Sequence, residues 1–160
     1  MELTPDELAG VVGVVGPVTR DEFANACGEL AFKRGADIDD EAFEAAIDAA
    51  LSGYHLVAVA DHDAAADAPL VVVGPAAFPE IPAGAEDLPH ILDLPVRDLA
   101  EETVTAVAEQ RFREDAVEAV RAGDDDRIAE LLDVSYDLEA WGPVALASAR
   151  ERLEEATHAN

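Results

Sequence analysis

Apolar residues recur along the chain with the spacing of one helix face in three early segments. Leu8, Val11, Val12 and Val15 form the first stripe, Phe23, Cys27, Leu30 and Ala31 the second, and Phe43, Ala46, Ile47, Ala50 and Leu51 the third. These predict helices over about 5–15, 20–34 and 40–52. Gly16-Pro17 and Gly35 supply the stops. After Gly53 the pattern changes to runs of β-formers, Tyr54 to Ala60 and Leu70 to Val73, on either side of the polar stretch DHDAAADAP. A hairpin over about 54–60 and 70–74 is predicted. Residues 75–95 hold five prolines and little periodicity, so 83–95 is read as a Pro-rich connector. Beyond it, Leu99, Val104, Ala108, Phe112, Ala116 and Val120 stripe a helix over about 97–122 that Gly123 ends. A shorter helix over about 126–134 carries Ile128, Leu131 and Leu132 behind Asp124, Asp125 and Asp126, and Pro143 opens a last one over about 143–157.

A hexapeptide introduces the early helices. LTPDEL at 3–8 returns as VTRDEF at 18–23 and, more weakly, as IDDEAF at 38–43. Thr4 with Glu7 and Thr19 with Glu22 have the spacing of a capping box, in which the threonine accepts from the N3 amide and the glutamate reaches back to the cap amide. Leu3 with Leu8, Val18 with Phe23 and Ile38 with Phe43 are the matching hydrophobic staples. Asp39 caps the third copy, where Ala42 leaves no box. The repeat is thus a way to start helices rather than a repeated ligand site.

The fold class that follows is mainly α with a small β-hairpin (α+β). Residues 1–82 form a winged helix-turn-helix-like domain, and 96–160 form an all-helical subdomain. LTPDELAGVVGVVGPVTRDEFANACGELAFKRGADIDDEAFEAAIDAALSGYHLV resembles a set of uncharacterised winged-helix-like proteins of haloarchaea, through the helix starts, the turn AFKRGADID and the strand at GYHLV. The resemblance implies a fold and is silent on activity.

Charge sharpens this picture. Thirty-six acidic residues against ten basic ones give a formal net charge of -26, while half the residues are hydrophobic, so a folded protein with an acidic surface is expected. Lys33 is the only lysine. The composition resembles the haloarchaeal proteome, in which acidic surfaces maintain solubility in molar salt. At about 1 M salt the Debye length is about 3 Å, so the acid excess reads as solvent adaptation before it reads as a basic partner's docking face. Neither a signal peptide nor a membrane span is predicted, and a cytoplasmic location with no membrane contact is expected. Cys27 is the single cysteine, which excludes an intrachain disulfide and a cysteine-based zinc cluster and suits packing.

A winged helix raises the question of DNA. Phosphate contacts come chiefly from Lys and Arg, and from Gly35 to Val96, 62 consecutive residues, there is neither. That interval contains the third helix and the hairpin. The helix presents Asp40, Glu41, Glu44 and Asp48 instead, so nucleic acid is disfavoured as a partner. Arg20, Lys33 and Arg34 beside the second helix, and Arg111 and Arg113 on the long helix, remain candidates for contacts to a backbone or a partner. Arg121 and Arg127 extend the second cluster, for which a solvated face with pairs such as Glu109 to Arg113 is the competing reading.

Catalytic signals are weak. Asp61, His62 and Asp63 are ligand types, but three consecutive strand residues do not converge on a metal. GVVGVVG lacks the spacing and the preceding strand of a phosphate loop, and Gly10 and Gly13 are expected to let another helix approach. His55, His90 and His158, and Ser52, Ser135 and Ser148, show no nucleophile motif. Trp141 is expected to plug the core of the helical half rather than to anchor an interface. The expectation is a protein without cofactor or enzymatic activity that acts through a protein partner or homo-oligomer, with a DNA-binding winged-helix regulator as the alternative.

Overall fold

The computed structural model describes residues 1–60 and 67–158 and divides into two compact units, Met1–Leu99 and Ala100–Asn160. It is mostly helical with one small antiparallel sheet.

In the first unit, helix α1 spans Pro5–Val15, α2 Arg20–Lys33 and α3 Asp40–Ser52. Both capping boxes form. The Glu7 amide donates to Thr4 Oγ1 and the Thr4 amide to Glu7 Oε1, each at 3.1 Å. At α2 the same two bonds measure 3.2 and 2.9 Å. Asp39 caps α3 by accepting from the Ala42 amide at 3.3 Å. Two amides of the first turn that have no helical partner are therefore satisfied at each box by residues three apart. The buried faces of the three helices meet in one core that includes Leu8, Val11, Phe23, Leu30 and Ile47, with Phe23 and Phe43 edge to face at 5.6 Å. Cys27 is fully buried there, and burial pushes its thiol up to about 12, so it stays protonated and inert.

Strands β1 (Leu56–Val59) and β2 (Leu70–Val73) pair antiparallel, with Leu56 opposite Val73 and Val59 opposite Leu70. Val18, between α1 and α2, forms a further bridge to Val71 through bonds of 3.3 and 2.7 Å. The first strand begins at Leu56 rather than at Tyr54. Tyr54 is fully buried with φ +64°, a left-handed turn out of α3 that an anchored ring holds in place of a glycine. Gly74 lies beneath it, where an added Cβ would stand 2.3 Å from the Tyr54 carbonyl oxygen.

The chain then crosses α1. The Phe78 amide donates to Asp6 Oδ1 at 3.0 Å and the Glu80 amide to the Asp6 carbonyl at 2.9 Å. Gly10 makes that crossing possible, because a Cβ there would lie 2.0 Å from the Glu80 carbonyl oxygen. The glycine expected to admit a helix admits an extended strap instead, and Gly13 faces only the Val73 side chain. A 3-10 turn at Ala85–Asp87 and helix α4 (Leu88–Ile91) follow, in the segment expected to be a bare connector. Ala85 and Leu88 are fully buried in the first core, so these residues pack where periodicity gave no signal.

The second unit is three helices: α5 (Glu101–Ala122), α6 (Asp125–Trp141) and α7 (Ala147–His158). Val104, Ala108, Phe112, Ile128, Leu131, Leu138, Leu146 and Leu153 fill its core. Helix α5 starts later than the predicted residue 97, with Ala100 at its N-cap. Asp124 caps α6 by accepting from the Arg127 amide at 3.0 Å. That helix runs seven residues past the expected 134 because Val134, Ser135 and Leu138 continue its buried face. Helix α7 starts at Ala147 rather than Pro143. Leu146 precedes it, its amide held by Glu139 Oε2 at 2.9 Å and its carbonyl accepting from Arg150 at 2.9 Å. Trp141 is 37% exposed, and Phe112, not Trp141, fills the centre. Among the described residues no helix is long and apolar enough to cross a membrane.

Candidate partner-binding groove

The five basic residues singled out from the sequence are all engaged within their own units. Arg20 pairs with Glu44 and, at 3.1 Å, with Asp48 across α2 and α3. Lys33 donates to the Gly84 carbonyl at 3.2 Å and lies 3.4 Å from Asp87. Arg34 donates to the Ala83 carbonyl from Nε at 3.2 Å and from Nη2 at 2.7 Å. Arg111 sits 3.7 Å from Asp115, and Arg113 sits 3.7 Å from Glu109 while donating to the Ala145 carbonyl at 3.4 Å. Arg20 thus neutralises part of the acidic face of α3, while Asp40 and Glu41 remain exposed. Lys33 and Arg34 fasten the segment after the sheet to the end of α2.

Arg97 provides the most buried of these attachments. Its Nη1 meets Glu22 Oε1 at 2.5 Å and its Nη2 meets Oε2 at 3.0 Å, with the arginine side chain 5% exposed. The bidentate guanidinium holds the Glu22 carboxyl below the usual carboxylate range, with the amide of Thr19 adding to the effect. One carboxylate therefore both starts α2 and anchors the end of the first unit. In the second unit Arg150 plays the same part toward Glu139, at 2.5 Å, and holds that carboxyl low, while its guanidinium stacks 4.4 Å over the Tyr136 ring.

Among the described residues no three His, Cys, Asp or Glu side chains converge as a metal site. His62 with Asp61 and Asp63 lies outside the described residues. Ser135 is buried and donates to the Leu132 carbonyl at 2.6 Å. His55 is half-buried with Nδ1 unpartnered against the Gly53 turn, and His90 is exposed.

The helical unit instead carries an open groove between α5 and α7, with a volume of about 600 Å³. Ala116, Val117, Val120, Ala149 and Ala156 form its apolar surface, over the buried Leu153. Val117 and Val120 are 49% and 40% exposed, well above the rest of the α5 stripe. Arg113, Arg121, Arg152 and Glu155 stand around it, three cations to one carboxylate in a chain whose acidic residues outnumber the basic ones more than threefold. Among the described residues Arg121 and Arg152 have no ion-pair partner, although both are exposed on helices rich in glutamate. An apolar trough with unpaired guanidinium groups at its edge can bury apolar side chains and hold carboxylates at once.

Sequence reasoning placed Ala116 and Val120 on the inward stripe and did not select Arg152. The signal available was the neighbouring pair Ala116-Val117, which widens the apolar face of α5 beyond what one covering helix needs. A second cavity of about 770 Å³ lies in the first unit beside Leu3, Ile38, Phe43 and Ala46, but Glu2, Asp37 and Asp39 surround it and it shares the acidic character of the chain.

The chain belongs to a family of unknown function, DUF7109, whose profile matches residues 6–158. Neither the curated proteins nor the solved structures gave a match.

Proposed function

We propose that this protein acts without catalysis, by docking another protein in the groove between α5 and α7, with the first unit as a winged-helix scaffold. The observation that carries the reading is the combination, at one place, of exposed Val117 and Val120 with Arg121 and Arg152, which hold no carboxylate among the described residues. Exposed apolar surface of this kind, edged by polar groups, marks interaction sites. The winged-helix description is supported by the order of elements, α1, the Val18 bridge, α2, α3, β1 and β2, with Val18 on the edge of β2. Such scaffolds serve protein contacts as well as DNA, and the engagement of Arg20, Lys33 and Arg34 inside the unit favours the former. The acidic composition and single lysine support a halophilic, cytoplasmic setting.

The test compares affinity isolation of the wild-type protein and the Val117→Asp variant from a halophilic archaeal host in molar KCl, with and without nuclease. A stoichiometric protein that survives nuclease and is lost with Val117→Asp is expected. Sedimentation of the two purified proteins separates a foreign partner from self-association. DNA fragments recovered equally by both proteins and removed by nuclease would replace this reading with that of a DNA-binding regulator.

A further inference from the structure

The lining of the groove also restricts what can occupy it, provided that it is a docking site as proposed above. Its sign is the first restriction. With Arg113, Arg121 and Arg152 against Glu155, the groove reverses the charge of the chain, so an occupant gains from carboxylates and a basic one is refused locally. Its shape is the second. Ala116, Ala149 and Ala156 present methyl groups only, which lets a backbone approach closely, and a helix laid along the seam would stand as the fourth member of the three-helix unit. A second copy of this chain is poorly suited to the part. The apolar face of its acidic helix α3, Phe43, Ile47 and Ala50, is already buried, and the exposed valines of α5 line the groove itself.

We infer that the groove between α5 and α7 receives an acidic amphipathic helix of another protein. Its apolar side chains, spaced i, i+3, i+4 and i+7, lie against Val117 and Val120 on one side and Ala149 and Ala156 on the other. Its flanking carboxylates meet Arg121 and Arg152, whose planar guanidinium groups accommodate them in bidentate fashion.

The probes are two synthetic fluorescent helical peptides of about five turns, with the same leucine stripe and flanking positions either all glutamate or all lysine. Their binding to the full-length protein is followed by anisotropy, in the lowest KCl at which circular dichroism shows the chain folded. The glutamate peptide should bind about ten-fold more tightly than the lysine peptide, against the -26 net charge that would draw the lysine peptide to the surface at large. Arg121→Glu combined with Arg152→Glu should abolish that preference, and Val117→Asp should eliminate binding of the glutamate peptide. Equal binding of both peptides, lost in Val117→Asp, would overturn the acidic occupant while leaving the groove as a docking site. Binding of neither peptide to the folded protein, or binding indifferent to Val117→Asp, would overturn both. Because all three positions are exposed, the variants are expected to fold, and thermal melting of each confirms that loss of binding is not loss of structure.

Discussion

The two units use their few cations differently. The first has four basic residues among twenty acidic ones, and each of the four secures a distant part of its own fold: Arg20 joins α2 to α3, Lys33 and Arg34 hold residues 83–87, and Arg97 clasps Glu22. The second has six among sixteen, and two of these, Arg121 and Arg152, hold no carboxylate among the described residues. In an acidic chain an unpaired arginine tells more than its count suggests, since carboxylates are everywhere available to it. Closure differs too. A strap covers α1 in the first unit, whereas in the second the 22-residue α5 outlasts the 12-residue α7, and valines remain exposed beside it.

If the first unit is closed by close backbone approach, Gly10→Ala should be the most damaging small change, costing about 3 kcal/mol because backbone rather than a yielding side chain meets the new methyl. Gly28→Ala, on the same scale, meets nothing within 4 Å and should be neutral or slightly stabilising in a urea titration. Removal of the clasp by Arg97→Ala should cost about 2 kcal/mol, less than a fully buried pair because Glu22 retains solvent contact. The clasp also predicts a pH dependence. Glu22 is held below its unfolded value, so its contribution is complete above about pH 4.3 and is lost as the pH falls through the lower folded value. Urea midpoints measured between pH 7 and pH 3 should therefore fall on the acid side, and Arg97→Ala should flatten that limb. Thr19→Ala should cost about 1 kcal/mol through the lost cap, and an unchanged melting curve would remove Thr19 from the start of α2. Smallest in stability, within about 0.5 kcal/mol, should be Val117→Asp. A large loss of stability there would mean that the second unit is as closed as the first.

Features set by neighbours in sequence were legible before the fold was known. The capping boxes at Thr4 and Thr19 involve residues three apart, and the stripes of Phe23, Cys27 and Leu30 or Phe43 and Ile47 follow from helical geometry alone. Features set by distant partners were not. Gly10 reads as a weak helix position until Glu80 is placed on it, and Tyr54 reads as a strand residue until its buried ring fixes a left-handed turn. Leu88 sits among prolines without periodicity, yet is fully buried. The candidate groove was half legible: Ala116, Val117 and Val120 show an unusually broad apolar face, but the opposing α7 surface and the placing of Arg152 at its edge depend on which helix packs where.

The strap over α1 has a consequence for the order in which the protein is made. Asp6 and Gly10 receive Glu80, and Val18 receives Val71, so the earliest helix is completed by residues translated some 50 to 75 positions later. Until they emerge, α1 has an uncovered face and the edge of its following loop is unpaired. The second unit packs three consecutive helices, and the bond from Arg113 of α5 to Ala145, just ahead of α7, spans only 32 positions. A nascent chain would thus spend its most aggregation-prone interval before residue 80 appears, and insertions between β2 and the strap would lengthen it.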